Sequence, residues 1–358
     1  MDAWVLHGTG DLRRELRPDP QPDDDEVLVR VERVGICGSD IHYYRHGRVG
    51  AFVPSRPFIL GHEFAGEVVA VGRAASGIAV GDRVAVDPSR PCLRCSWCRR
   101  GRSNLCPRMR YFGSAATDPP TDGVLCDLKA VPAANCYRLD DHLSYAEGAL
   151  LEPLAVACHA VQRADGVAGK VVAVSGAGTI GLLVATVARA LGAVRVVVSD
   201  PRGAAREAAA ARADAVLDPG DEQASAGAMA SGGAPEVTFE AAGAAASFRW
   251  ALQHTAAGGT VVQIGTLQQP FAAPLNTIMA RELRVLGSFR FAGAFRVGAA
   301  LLAARRVEVE SLITGVMPMA ETAAAVQRAG SDAATIKLHV SRAGHASKRV
   351  QPVPISAP

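Results

Sequence analysis

The chain has 358 residues, 49% of them hydrophobic and 20% charged, with a formal net charge of +3. That length accommodates about two domains of ~150 residues, and the balance is that of an ordinary globular protein. It excludes two classes of partner: no run reaches the roughly 18 apolar residues of a membrane helix, and the basic residues form no continuous face for nucleic acid.

The arginines are scattered except between Arg94 and Arg110. The opening residues MDAWVLHGTGDL carry no basic head followed by an apolar core, so a cytoplasmic address is expected. In such a chain the eight cysteines read as metal ligands before disulfides.

In chain order, the acidic cluster Asp23 to Glu26 reads as a solvated turn. Val27 to Ile36 alternates apolar and polar residues and reads as a half-buried strand delivering Cys37 to its end. Further β-rich runs at Glu67 to Val71 and Arg83 to Val86, with glycine turns between, make residues 1–145 a β-rich domain. Within it Cys92, Cys95, Cys98 and Cys106 form C-x2-C-x2-C-x7-C. Four thiolates so close in sequence can close a tetrahedron around zinc and pin a loop that has no core of its own. An iron–sulfur cluster is the rival, since Pro107 follows Cys106, but the last gap is seven residues instead of three.

After Ser144 the pattern changes. A helical stretch runs to Arg163, then come a strand at Lys170 to Ser175, a glycine turn, a helix to Leu191 and a strand at Val194 to Ser199. Strands at Val237 to Glu240, Gly259 to Ile264 and Leu283 to Gly287 continue the alternation, predicting a doubly wound parallel sheet over 146–288. Residues 289–340, opening with a helix at Phe295 to Ala304, are expected to return to the first domain, and 341–358 to be a disordered tail.

The glycine turn is Gly176-Ala-Gly178-Thr179-Ile180-Gly181. It follows a buried strand, opens a helix, and is followed 19 residues after Gly181 by Asp200 at the end of the next strand. That context marks a dinucleotide site, with the pyrophosphate on the helix N-terminus and the acid on the adenosine ribose. Asp200 disfavours a 2′-phosphate and so favours NAD, while Arg202 and Arg206 nearby keep NADP as the alternative.

A second metal set must come from distant residues: Cys37, His62 and Glu63 in Gly-His-Glu, and Glu152 in Leu-Leu-Glu-Pro-Leu. One thiolate, one imidazole and one carboxylate can hold zinc with a coordination position open for water or substrate.

Gly61-His62-Glu63-Phe-Ala-Gly66 and Gly35-Ile-Cys37-Gly-Ser39-Asp40 resemble the zinc signature and the cysteine-bearing strand end of the zinc-containing medium-chain dehydrogenases, and the likeness runs from Val5 to Val340. Ser39-Asp40-Ile-His42-Tyr43-Tyr44, Glu152-Pro-Leu-Ala-Val and Gly287-Ser-Phe-Arg290 are similar to their sorbitol dehydrogenase branch. HGRVGAF, DPSRPC, MRYFGSA and GSFRF resemble the L-idonate 5-dehydrogenases within it. The resemblance implies a GroES-like catalytic domain beside a Rossmann domain, and two zinc ions per subunit. One is structural, on the four clustered cysteines; the other is catalytic, on Cys37, His62 and either Glu63 or Glu152. Asp40 would orient the His62 ring, and Ser39 and His42 would carry a proton to solvent.

Zinc can lower the pKa of a coordinated hydroxyl by several units, readying a secondary alcohol for hydride transfer. Tyr43, Arg110 and Arg290 are the candidate substrate contacts, the arginines for a carboxylate, and Phe291 takes the place where sorbitol enzymes commonly carry tyrosine. The expected substrate is a polyol or sugar acid, L-idonate foremost. Sorbitol or xylitol follows, and then L-threonine; a non-catalytic NAD-binding protein is disfavoured by the full set of open-site residues. The resemblance also implies a homodimer or homotetramer joined through the nucleotide-binding domains.

Overall fold

The computed structural model describes residues 1–267 and 270–342, the side chain of Ala230 excepted. The expected tail therefore lies, from residue 343, outside the described residues. Ser341, expected to open it, is still strand and pairs with Arg33.

A mixed sheet forms one half. Its order is Cys136–Arg138, Arg83–Val86, Glu63–Val71, Glu26–Gly35, Lys337–Ser341 and Ile313–Pro318, with Leu128–Pro132 also pairing with the long strand Glu26–Gly35. Val27, Val29, Val31 and Val34 on that strand are fully buried, each worth roughly 1.5–3 kcal/mol of transfer free energy. A hairpin of Asp2–Gly8 and Asp11–Leu16, capped by Phe58–Ile59, forms a separate three-stranded sheet.

The second half is a six-stranded, all-parallel sheet ordered Ala215–Leu217, Arg195–Ser199, Val171–Ser175, Val237–Glu240, Thr260–Gln263, Arg284–Gly287. In chain order this is 3-2-1-4-5-6, the dinucleotide-binding arrangement, whose ligand crevice opens where the winding reverses beside the first strand. The helix Leu151–Arg163 belongs to one hydrophobic cluster containing Ala65 and Ala85 of the mixed sheet together with Val172 and Val174 of the parallel sheet. The two halves are thus cemented by apolar packing.

The last two strands of the mixed sheet come from the far end of the chain. Lys337–Ser341 inserts between Glu26–Gly35 and Ile313–Pro318, antiparallel to the first and parallel to the second. This insertion delivers Lys337 to the Glu63 carboxylate.

Candidate active site

The centre is built where three strands meet. Cys37 caps the helix Gly38–His46 directly after the strand Glu26–Gly35, and Glu63 opens the neighbouring strand Glu63–Val71. Asp40 ties these segments together: its carboxylate accepts the Cys37 backbone N–H at 2.9 Å and the Gly61 N–H at 3.1 Å. Gly35 and Glu63 face each other across the two strands, and a Cβ on Gly35 would lie 2.2 Å from a Glu63 carboxylate oxygen. Only glycine lets the acid turn inward there.

The ligand atoms of Cys37, His62 and Glu63 lie within 4.8 Å of one another. Zinc–ligand bonds of about 2.0–2.3 Å need donors at such mutual distances. All three residues are buried or half-buried, and the buried His62 Nδ1 lacks a hydrogen-bond partner. The donor set fits a zinc ion with one position open. Burial by itself opposes a charged imidazole, but the Cys37 sulfur, with Asp40 and Glu152, outweighs it and raises His62 to about 10. Asp40 does not hold the ring as expected: its oxygen is 4.0 Å from Nδ1, beyond a hydrogen bond, because its oxygens are taken by the two backbone N–H groups.

Glu152 stands apart from this cluster. It is buried on the helix Leu151–Arg163, accepts the Tyr111 hydroxyl, and is raised to about 7, chiefly by burial. Glu63 carries a different partner: Lys337 Nζ donates to both its oxygens, at 2.9 and 2.7 Å, and to the Ile36 carbonyl at 3.0 Å. Sequence reasoning missed Lys337 and Tyr111. The signal for the first was a lysine heading an apolar strand; for the second it was a tyrosine beside the arginine that was chosen instead.

Arg290 sits at a positive φ of 53° with its guanidinium between the rings of Tyr111, 4.6 Å away, and Phe289, 4.8 Å away. Among the described residues it has no hydrogen bond or ion pair. Asn104, from the four-cysteine lobe, donates to the Phe289 carbonyl at 2.9 Å and so anchors the segment that carries it. Phe291 packs against Tyr111 behind.

The other two substrate candidates are placed differently. Tyr43 is 1% exposed, packs edge-on against Phe58, and spends its hydroxyl on the Ala115 N–H at 2.9 Å. It is a wall residue with almost no surface to offer. Arg110 and Tyr111 are consecutive on one short strand, so when Tyr111 turns to Glu152 Arg110 turns outward, where it is exposed and lines another cleft. Ser39 and His42 lie one turn apart on the helix Gly38–His46, both half-buried, with the His42 imidazole lowered by burial and by His46 and Arg45.

The second cluster is local. The sulfurs of Cys92, Cys95, Cys98 and Cys106 also lie within 4.8 Å of one another, and all four are free thiols. The Arg94 backbone N–H, helped by Arg108, which donates to Cys92 Sγ at 3.3 Å, pulls that thiol down, whereas burial and Cys95 push Cys98 up.

At the glycine turn, Gly176 has φ +105°, and a Cβ on Gly181 would lie 1.8 Å from the Gly176 carbonyl oxygen, so neither position admits a side chain. The helix Thr179–Ala190 begins with no side-chain cap, leaving its first N–H groups for an anion. The Thr179 hydroxyl is committed to the Ile336 carbonyl at 2.6 Å, tying this helix to the strand that carries Lys337, and Ile180 is half-buried in the same turn. Asp200 accepts the Ala177 and Arg202 N–H groups at 2.8 and 2.9 Å and pairs with the Arg202 guanidinium at 3.1 Å. Arg206 is held by Asp218 at 2.9 Å and by the Asp200 carbonyl.

Comparison with known proteins matches residues 23–141 to the alcohol dehydrogenase GroES-like domain and residues 179–304 to the zinc-binding dehydrogenase family. The chain belongs to the zinc-dependent medium-chain dehydrogenases, within their sorbitol dehydrogenase branch. It is 40% identical to sorbitol dehydrogenase of Homo sapiens over 323 residues, 88% of this chain and 89% of that protein. L-idonate 5-dehydrogenase of Escherichia coli superposes with a TM-score of 0.88 at 31% identity, covering 95% of this chain and 97% of that one. A zinc-binding dehydrogenase of Sinorhizobium meliloti, solved with NADP bound, gives 0.86 at 34% identity, covering 95% and 98%.

Proposed function

We propose that the chain oxidises a secondary alcohol of a polyol or sugar acid, with L-idonate as the preferred substrate. The observation that carries the acid preference is Arg290, a half-buried guanidinium lying over two rings, with no hydrogen bond or ion pair among the described residues. Shielding a cation from water without a hydrogen-bonded partner is costly, and a substrate carboxylate in bidentate contact relieves that cost.

The donor set supports Cys37, His62 and Glu63 as the direct ligands of the catalytic zinc, with Glu152 acting through water, and Cys92, Cys95, Cys98 and Cys106 as the structural site. A zinc ion in the first set supplies Lewis acidity toward a substrate hydroxyl, and a nicotinamide dinucleotide supplies the hydride acceptor. Around them, Lys337 fixes the Glu63 carboxylate, Tyr111 fixes Glu152, and Ser39 and His42 pass the released proton along one helix face to solvent.

NAD is the proposed cofactor because Asp200 follows the second strand of the sheet, where a carboxylate meets the adenosine ribose in this fold. Its ion pair with Arg202 softens the repulsion of a 2′-phosphate, so NADP is the weaker alternative. A second copy of the chain is the proposed partner. The strand Arg284–Gly287 is an open edge of the parallel sheet, and Leu275, Met279, Val285 and Phe289 near it are exposed.

The test follows NADH and NADPH formation with L-idonate, sorbitol, xylitol and L-threonine. The expected outcome is highest kcat/KM with L-idonate and NAD, and a larger loss on L-idonate than on sorbitol for Arg290→Ala. Equal losses on the two substrates would remove the carboxylate role.

A further inference from the structure

The outward face of the strand Arg110–Tyr111 opens on a cleft of about 700 Å³ that none of Cys37, His62, Glu63, Glu152 or Arg290 lines. Its volume is that of a small-molecule site. Five of its lining residues are cationic, Arg56, Arg90, Arg108, Arg110 and Lys129, against two carboxylates, Asp118 and Asp122.

The two acids are already engaged. Asp118 accepts the Ser55 hydroxyl; Asp122 accepts the Ile59 N–H at 3.0 Å and lies 3.5 Å from Arg56. Arg90 has Glu26 at 3.1 Å and Arg108 has the Cys92 sulfur. Among the described residues neither Lys129 nor Arg110 forms an ion pair. Lys129 donates to the Asp122 backbone carbonyl at 2.7 Å and lies 4.6 Å over the Phe112 ring, while Arg110 has no polar partner among the described residues.

We propose that this cleft binds a small organic phosphate, held by Arg90, Arg110 and Lys129 apart from the reaction centre. The cations lie close enough to disturb one another: burial lowers the Lys129 ammonium, and Arg90 and Arg110 lower it further against Asp122 and Cys126. Like charges gathered in a concavity repel, and a dianion with three acceptor oxygens turns that repulsion into charge-assisted hydrogen bonds. The cleft is larger than a bare phosphate needs, and Pro107, Phe112, Pro119 and Pro120 give it an apolar wall for an organic remainder. Arg110, chosen from sequence as a substrate contact, thus keeps an anion-binding role at a different place.

The zinc-replete full chain, saturated with NAD so that the nucleotide pyrophosphate site is filled, is titrated calorimetrically with glucose 6-phosphate and with glucose. Glucose 6-phosphate is expected to bind one per chain with Kd on the order of 1 mM or tighter at low salt, and glucose not at all. Arg110→Glu and Arg110→Gln, at an exposed position, are expected to weaken it by about tenfold or more, while Arg290→Ala leaves it within about twofold. Absence of binding, undiminished binding in both Arg110 variants, or loss in Arg290→Ala alone would each overturn the proposal. The last outcome would place the phosphate in the substrate pocket, which keeps this site's failure distinct from that of the dehydrogenase reading.

Discussion

The two metal-type clusters use the same physics at opposite ranges. Cys92, Cys95, Cys98 and Cys106 are neighbours in sequence, and their sulfurs converge inside one short lobe. Cys37, His62 and Glu63 converge only because two strands pair in one register, and their support arrives from Lys337, 274 residues beyond Glu63. The local cluster can serve a loop that lacks its own core; the dispersed one requires the finished sheet, and its three donors are one fewer than a closed tetrahedral site uses. Loss of a metal-binding side chain should therefore tell on stability at the first and on chemistry at the second.

The sharpest way to break this comparison is Cys37→Ser. It should lower kcat/KM by about a thousandfold, roughly 4 kcal/mol of transition-state stabilisation, with one zinc lost per chain and little change in melting temperature. Lys337→Met tests whether the dispersed site depends on its remote support. The variant leaves a buried Glu63 carboxylate without its partner, so a loss of about 3–5 kcal/mol in unfolding free energy is expected, accompanied by weaker zinc retention on dialysis. Unchanged zinc content there would reduce Lys337 to a packing residue.

Cys106→Ser addresses the local cluster. It should release the other zinc and lower the melting temperature by about 5–10 °C by calorimetry, while the zinc-loaded catalytic site keeps most of its turnover. A loss of turnover matching that of Cys37→Ser would erase the proposed division of labour. Asn104 gives a hydrogen-bonded route from the lobe toward the chemistry, through the Phe289 carbonyl next to Arg290.

The smallest effect concerns acid. Burial, followed by Arg163 and Arg102, holds the His159 imidazole down at about 4, below its ordinary 6.5. A lowered histidine pKa favours the neutral form in the fold. Its contribution is therefore complete above pH 6.5 and is lost as pH falls from 6.5 toward 4. Between pH 8 and 5.5, wild type should lose about 1.4 kcal/mol more than His159→Gln in urea unfolding. Parallel losses would remove His159 from the acid response.

Much of the nucleotide-binding half was legible. The strands expected at Val237 to Glu240, Val194 to Ser199 and Leu283 to Gly287 agree with the observed ones to within a residue. Buried parallel strands announce themselves as short apolar runs between glycine turns. The helix Gly38–His46 was not foreseen, because glycine, serine, aspartate, histidine and tyrosine have weak helical preference, and it is held by the Asp40 carboxylate capping Cys37. Arg110 lies away from Glu152 for a geometric reason the sequence leaves open: alternation tells that Arg110 and Tyr111 oppose each other but not which of them turns to Glu152.

Sequence alone determined the groups whose members are close in the chain: the four-cysteine lobe, the glycine turn with Asp200 behind it, and the Gly-His-Glu triplet. Their chemistry follows from spacing, which the covalent chain enforces. Tertiary structure decided which acid lies beside Cys37 and His62, which lysine restrains it, and which arginines form no ion pair among the described residues. Those outcomes depend on side-chain direction and on contacts across paired strands, where residues hundreds of positions apart come within hydrogen-bond reach and adjacent ones point to opposite faces.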